Sequence, residues 1–172
     1  MTLLACVADL LNEAGIPFAI IGASALAAHG VSRSTLDIDV LVTDRRTLRR
    51  DFWILADATI EIRPGDDSDP LAGVVRVTAA GQRDIDIVVG RAAWQTHLLA
   101  STVRLELQDA QVPVVDAPGL IMLKLYAGGR QDLWDIEQLL AAGSRAELAA
   151  AVDERVSVLP ADARAKWDRL KS

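Results

Sequence analysis

The tripeptide Asp-Ile-Asp occurs twice in this chain, at positions 37–39 and 84–86, and each copy leads into a short apolar stretch rich in β-branched residues. Such stretches are typical of buried strands. Because side chains alternate faces along a strand, the two aspartates of each copy point the same way, about 7 Å apart. Like charges in a half-buried sheet are costly unless a cation neutralises them. The doubled tripeptide therefore predicts a divalent metal that carries a triphosphate.

Composition restricts the class of protein. With 172 residues, 51% of them hydrophobic and only 4% aromatic, the chain fits one domain with an aliphatic core, as in α/β proteins. The net charge of -6 argues against broad binding of nucleic acid but allows a local basic patch. Cys6 is the only cysteine, so we expect neither a disulfide framework nor a thiolate metal site. The longest uncharged apolar run, 16–28, is shorter than the roughly 20 residues of a membrane span, so we expect a cytoplasmic protein without membrane contact.

Apolar periodicity and turn signals predict an α/β (α+β) fold, with a small mixed sheet flanked by helices. Strands are predicted at 17–21, 37–42, 59–63, 73–78, 83–89, 103–107 and 112–115. Helices are predicted at 3–14, 24–29, 45–56, 92–100, 119–127, 131–142, 145–156 and 161–170. Since the predicted elements after Pro118 are all helices, we predict a single domain, 1–172, made of an α/β catalytic core, 1–117, and a helical C-terminal part, 118–172.

A glycine turn, Ile21-Gly22-Ala23-Ser24, lies between a predicted strand and a predicted helix. Twelve residues separate its last residue, Ser24, from Asp37. Such a turn directs backbone N–H groups at a phosphate, while paired aspartates on the next strand offer oxygens to Mg²⁺ on the same phosphates. The arrangement resembles the motif of the DNA polymerase β-like nucleotidyltransferase superfamily: apolar-Gly-Gly/Ser, about ten residues, then Asp-apolar-Asp/Glu-apolar. The resemblance implies a polymerase β-like fold. It also implies transfer of a nucleoside monophosphate from an NTP, such as ATP, to a hydroxyl, with two Mg²⁺ ions.

In that superfamily a third carboxylate comes from a later strand, and the resemblance implies Asp86 for this role. Asp86 lies deeper in its apolar run than Asp84, whose membership in the site stays open. The predicted catalytic and metal-binding residues are thus Asp37, Asp39 and Asp86. Two metals would stabilise the attacking and leaving oxygens of an in-line displacement at the α-phosphorus, and Asp86 would help to deprotonate the acceptor hydroxyl.

Two further stretches narrow the resemblance. Positions 28–39 are similar to the His-Gly-x-x-Arg-x-Thr-x-Asp-x-Asp segment of the AbiEii and MenT-type toxin nucleotidyltransferases. Positions 123–136 match the Lys-x-x-Ala-x-Arg-x-x-Asp-x-x-Asp region of the same group, with the gap between Arg130 and Asp132 one residue short. The residues that the resemblance assigns to nucleotide binding are Gly22, Ala23, Ser24, Arg33, Lys124 and Arg130. Ala23 stands where Gly or Ser is usual, so a hydroxyl at the turn has to come from Ser24.

Each basic residue of this set also has a structural interpretation. Lys124 either meets a β- or γ-phosphate or extends from a helix face to solvent. Arg33 either binds phosphate or pairs with an aspartate. Arg130 and Asp132 either belong to the site or form an ion pair and a cap at the start of a helix.

The acceptor is predicted from a basic run and from the resemblance. Arg45, Arg46, Arg49 and Arg50 fall on one side of the predicted helix at 45–56. Such a run is either a solvated face or a seat for the phosphates of an RNA acceptor. Similarity to the toxin group favours tRNA as acceptor and a cognate antitoxin as partner. The alternatives are an aminoglycoside- or lincosamide-type transferase, an antitoxin-type enzyme that adenylylates a toxin tyrosine, and a nucleotide-binding protein without catalysis.

Overall fold

The computed structural model describes residues 1–171, and its strands form one mixed sheet. They are β1 Phe18–Ile21, β2 Asp37–Val42, β3 Ala58–Pro64, β4 Leu71–Ala79, β5 Asp84–Gly90, β6 Thr102–Leu107 and β7 Ala110–Val115. Their order across the sheet is β3-β4-β5-β2-β1-β7-β6. β2 is parallel to β5 and β1 is parallel to β7, while the other neighbouring strands are antiparallel. The expected α/β fold with a mixed sheet is confirmed.

The helices are α1 Leu3–Glu13, α2 Gly22–Ala28, α3 Ala93–Leu98, α4 Ala117–Ala127, α5 Arg130–Ala142, α6 Arg145–Asp153 and α7 Ala161–Lys171. α4 is capped by the Asp116 side chain, which accepts a hydrogen bond from Gly119 N–H at 2.8 Å. It packs against α2, α5, α6 and α7 and so joins the C-terminal helices to the glycine turn. The division into a core, 1–117, and a helical part, 118–172, stays a prediction. No helix within residues 1–171 is long and apolar enough to cross a lipid bilayer.

The core is built from aliphatic side chains of the central strands, among them Ile20, Val40 and Ile87, which are fully buried. His29 at the end of α2 donates from Nε2 to the Val115 carbonyl at 2.7 Å, which ties α2 to β7. The tightly packed centre fixes the register of β1, β2 and β5, because a shift by one residue would turn their apolar side chains outward.

The predicted helix at 45–56 is wrong. The segment forms two short 3-10 turns, Arg45–Leu48 and Arg50–Phe52, separated at Arg49 by extended backbone with φ -98 and ψ 134. The Asp44 side chain caps the first turn, and the Trp53 indole N–H donates to the Thr47 carbonyl at 2.7 Å, which turns the chain back toward β3. The other predicted helices and strands are confirmed, with ends that differ by at most a few residues.

Candidate active site

The four aspartates of the doubled tripeptide lie side by side on one face of the sheet. Parallel pairing of β2 with β5 sets Asp37 beside Asp84 and Asp39 beside Asp86. We call these four residues the acidic row. The Asp86 side chain is 18% exposed, against 36% for Asp84 and 35% for Asp37. Asp86 is therefore the more buried aspartate of β5, as its position in the apolar run predicts.

The glycine turn lies directly against the acidic row. Antiparallel pairing of β1 with β2 sets Ile21 beside Asp39, and α2 begins at the next residue, Gly22. Gly22 has φ +62, and a Cβ at this position would overlap the Asp39 carboxylate oxygen Oδ2. Glycine is thus required both by the backbone conformation and by the close approach of Asp39. Ala23 is buried and Ser24 is half-buried at the start of α2.

Gly22→Ala is expected to lower both stability and nucleotidyl transfer, and Gly81→Ala is its matched control. Both glycines have positive φ, +62 and +72, but a Cβ at Gly81 meets no described atom within 4 Å. The left-handed conformation alone costs about 1–2 kcal/mol. Urea unfolding should show that loss for Gly81→Ala and a larger one for Gly22→Ala, with transfer reduced in Gly22→Ala alone. Equal losses in the two variants would contradict the close approach of Asp39.

Electrostatics within the acidic row favour protonation of its most enclosed member. Burial, and then the charges of Asp37 and Asp86, raise the pKa of Asp39 from 3.8 to about 6, although Lys124 and Arg33 act in the opposite direction. The pKa of Asp86 is also raised, first by burial. The carboxylates therefore repel one another, and the positive charges of Lys124 and Arg33 offset part of that repulsion at Asp39.

Arg76 of β4 lies among the carboxylates of the acidic row. Its Nη2 contacts Asp84 Oδ2 at 2.9 Å, its Nη1 contacts Asp86 Oδ2 at 3.2 Å, and Asp37 Oδ2 is 4.0 Å away. The guanidinium lowers the pKa of Asp86 against the stronger effect of burial. This contact was not predicted from the sequence. A lone basic residue within an apolar strand is the signal that could have found it.

The acidic row has the chemistry of a magnesium site but is not closed around an ion. Carboxylate oxygens are ligands that Mg²⁺ prefers, and a divalent cation would relieve the repulsion that raises the pKa of Asp39. Within residues 1–171, no three or more His, Cys, Asp or Glu side chains are grouped so that they could hold a metal ion. The residues fit the metal, but Arg76 has to move and the oxygens of Asp37, Asp39 and Asp86 have to converge.

Lys124 belongs to a buried ion-pair cluster between α4 and α5. It is only 6% exposed, and its Nζ contacts Asp135 Oδ2 at 2.5 Å and Asp132 Oδ1 at 3.3 Å. Asp135 is fully buried and also accepts from Arg33 Nη1 at 3.0 Å. The Asp132 carboxylate caps α5 by accepting from Gly129 N–H at 3.1 Å. Lys124 therefore does not extend to solvent, and Arg33 does pair with an aspartate.

Asp135 was not among the predicted site residues, although it ends the motif at 123–136. The signal in the sequence is its spacing of three residues from Asp132, which sets the two carboxylates on one face of a helix. Arg130 lies at the exposed first residue of α5. The cluster thus brings Arg33 and Lys124 together at Asp135, whereas Arg130 has no described contact with it.

The segment before β2 is held in place by two side chains. Thr35 Oγ1 donates to Asp37 Oδ1 at 2.6 Å, and Arg83 Nη2 donates to the Asp37 carbonyl at 2.7 Å. These bonds fix the linker that carries Arg33.

The prediction that Arg45, Arg46, Arg49 and Arg50 line one side of a helix is wrong. Arg46 pairs with Asp44, Arg49 pairs with Asp51, and Arg50 donates to the Ile60 carbonyl. The four arginines follow the end of β2, whereas the acidic row lies at its beginning. From Asp39 to the end of β2 at Val42 the strand rises by roughly 10 Å, and the arginines lie beyond that end. The arginines therefore do not form a basic stripe beside the candidate site.

Solved structures with a similar fold are nucleotidyltransferases. The crystal structure of ANT(2'')-Ia in complex with adenylyl-2''-tobramycin has a TM-score of 0.58 and 13% identity, over 90% of this chain and 95% of that chain. A putative nucleotidyltransferase from Thermotoga maritima has a TM-score of 0.51 and 15% identity, over 82% and 92%. An antigenic nucleotidyltransferase-like protein from Paracoccidioides brasiliensis has a TM-score of 0.50 and 16% identity, over 96% and 90%. The fold is thus that of the polymerase β-like nucleotidyltransferases.

A family model identifies one family of nucleotidyltransferases. The model described as "Nucleotidyl transferase AbiEii toxin, Type IV TA system" matches residues 6–164. The chain therefore belongs to the AbiEii family and is a nucleotidyltransferase, which confirms the resemblance seen in the sequence. No curated protein matches the chain.

Proposed function

We propose that the chain uses Mg²⁺ to transfer a nucleoside monophosphate from an NTP to a hydroxyl of tRNA, as the toxin of a pair with a cognate antitoxin. The observation that carries the chemistry is the register of three strands. It puts Asp39 beside Asp86 and the Gly22 turn against Asp39, so that phosphate-binding and metal-binding groups meet. The toxin role and the RNA acceptor are supported by membership of the AbiEii family.

In this proposal Asp37, Asp39 and Asp86 would hold two metal ions, and these ions would supply charge stabilisation for an in-line displacement at the α-phosphorus. The acceptor oxygen bonds to that phosphorus as its proton passes to Asp86. The bond between the α-phosphorus and the bridging oxygen breaks, and pyrophosphate leaves.

The proposal has the NTP phosphates lie between the acidic row and the ion-pair cluster of Lys124, Arg33 and Asp135. Gly22 lies against the Asp39 side chain, Ala23 and Ser24 follow it at the start of α2, and the charges of Arg33 and Lys124 act on Asp39. Arg33 and Lys124 are held by Asp135, so their positions are fixed before a ligand arrives. Arg130, exposed at the start of α5, adds a further positive charge for the β- or γ-phosphate.

An aminoglycoside is the second candidate acceptor. The observation that favours it is the acidic row itself, because Asp37 and Asp84 are each about a third exposed and would attract a polycationic molecule. The absence of a basic stripe beside the row, in the described residues, removes one argument for RNA. The similar fold of ANT(2'')-Ia, solved with adenylyl-2''-tobramycin, is compatible with this acceptor.

Transfer of label decides between the acceptors. The full chain is incubated with Mg²⁺, each α-labelled NTP in turn, total tRNA and a panel of aminoglycosides. We expect label on tRNA, and this labelling should be lost in Arg33→Gln but kept in Arg45→Gln, which lies beyond the far end of β2. Label on an aminoglycoside alone would replace the acceptor in the proposal. Label on neither substrate would contradict the transfer reaction as proposed.

A further inference from the structure

Arg76 provides the acidic row with a cation that belongs to the chain itself. Across the antiparallel ladder of β4 and β5 its partner is Asp86, which lies beside Asp39 in β2. The guanidinium bridges Asp84 and Asp86, 2.9 Å and 3.2 Å away. A guanidinium presents its N–H donors in a rigid fork, which suits contact with two carboxylates at once. Arg76 thus neutralises part of the row without any metal.

The contact with Asp86 conflicts with metal binding at the same residue. Nη1 of Arg76 uses the Oδ2 lone pairs of Asp86, a carboxylate that the proposed function assigns to the metal. A guanidinium and a divalent ion also repel each other at such short range. Because Oδ2 is occupied and the two cations repel each other, Arg76 and a metal ion compete for Asp86. Asp84 makes the shorter of the two contacts with Arg76 and is not one of the predicted metal ligands. It can therefore hold the guanidinium after the guanidinium has left Asp86.

We propose that Arg76 is a positioning residue that competes with the divalent metal for Asp86, and that Asp84 retains the guanidinium once it has left Asp86. This inference rests on the proposed metal site at Asp37, Asp39 and Asp86. Within the second Asp-Ile-Asp, Asp86 then binds the metal and Asp84 binds Arg76. Arg76 keeps the acidic row stable without metal and limits the affinity with which the metal binds.

Binding of Mn²⁺ alone, followed by electron paramagnetic resonance of the free ion, tests the competition in the full chain. We expect Arg76→Gln to bind Mn²⁺ about tenfold more tightly than the wild type, because the competitor is gone. We expect Asp84→Asn to bind Mn²⁺ more weakly, because Arg76 then stays on Asp86. Loss of the Arg76 or Asp84 charge alone would shift Mn²⁺ affinity in the same two directions, so Arg76→Lys, which keeps the charge but loses the fork, is the deciding variant: tighter binding than in the wild type identifies the competition.

Thermal unfolding adds a second readout. In EDTA, Arg76→Gln should melt at a lower temperature than the wild type, because the acidic row has lost its internal cation. Adding Mn²⁺ should raise its melting temperature by more than that of the wild type. Arg76→Lys keeps the charge but loses the fork, so its Mn²⁺ affinity should lie between those of the wild type and Arg76→Gln.

The outcomes separate the two proposals. If Asp39→Asn abolishes Mn²⁺ binding but Arg76→Gln leaves it unchanged or weakens it, the metal site stands and only the role of Arg76 is overturned. Binding that is insensitive to Asp39→Asn, or absent from both the wild type and Arg76→Gln, overturns the metal site and the competition with it. If Arg76→Gln does not fold, Arg76→Lys decides: Mn²⁺ binding tighter than in the wild type supports the competition, and equal or weaker binding overturns it.

Discussion

Asp39→Asn should abolish nucleotidyl transfer while making the metal-free protein more stable at neutral pH. The folded protein, in which the pKa of Asp39 is about 6, binds this proton more tightly than the unfolded chain, in which the value is near 3.8. Stability therefore falls as the pH rises from about 4 to about 6, and the loss is complete above that range. A shift of this size corresponds to roughly 3 kcal/mol at pH 7.5. Asparagine removes the buried charge and with it the penalty.

Urea unfolding in EDTA at pH 4.5 and pH 7.5 measures this effect. The stability gain of Asp39→Asn over the wild type should be larger at pH 7.5 than at pH 4.5, by roughly 2 kcal/mol. Asp9→Asn, at an exposed position on α1, controls for the substitution itself. The wild type should also gain more stability from Mn²⁺ than Asp39→Asn does. A gain that is the same at both pH values would contradict the electrostatic penalty, and normal transfer by the variant would contradict the site.

The second large effect is expected at Asp135, which is fully buried and contacts both Lys124 and Arg33. Asp135→Ala leaves the Lys124 ammonium buried with less of its compensating charge, and removing one partner of a buried pair typically costs about 3–5 kcal/mol. Transfer should fall as well, because Arg33 and Lys124 lose the group that positions them. Urea unfolding and the labelling reaction measure the two losses.

Asp51→Ala is the matched control, since it breaks the ion pair with Arg49, in which both side chains are about two-thirds exposed. Exposed pairs contribute little to stability because solvent screens them, so the loss in this control should be small. The double variant Lys124→Met with Asp135→Leu should recover much of the lost stability but not the activity, because apolar side chains can fill the space of a buried pair. If Asp135→Ala and Asp51→Ala lose similarly small amounts of unfolding free energy, the buried ion-pair cluster does not stabilise the fold.

The elements that define the acidic row were predictable because their signals are local. The Asp-Ile-Asp copies continue into β-branched runs, which specify β2 and β5, and Gly22 marks the sharp change from strand to helix. Burial of the apolar side chains of these runs determines which way the aspartates point. The relation between the two copies is different, because it depends on sheet order. Parallel pairing of β2 with β5 sets Asp39 beside Asp86, and no local signal encodes that register.

Contacts between distant strands and helices were the part that sequence could not supply. Arg76 meets Asp86 only because β4 pairs with β5 in that register, and Asp135 meets Arg33 across a separation of 102 residues. The predicted helix at 45–56 failed for a related reason. Its arginine spacing is helical, but the cap at Asp44 and the bond from Trp53 to Thr47 favour tight turns instead. Tertiary contacts there outweigh helix propensity.

Anomalous scattering from Mn²⁺ in crystals grown with a non-hydrolysable NTP tests the central claim most directly. The proposed function predicts anomalous density between the carboxylates of Asp37, Asp39 and Asp86, with the triphosphate lying toward Gly22 and Lys124. Density for the nucleotide without any metal at these aspartates, or metal bound at a different part of the chain, would contradict it.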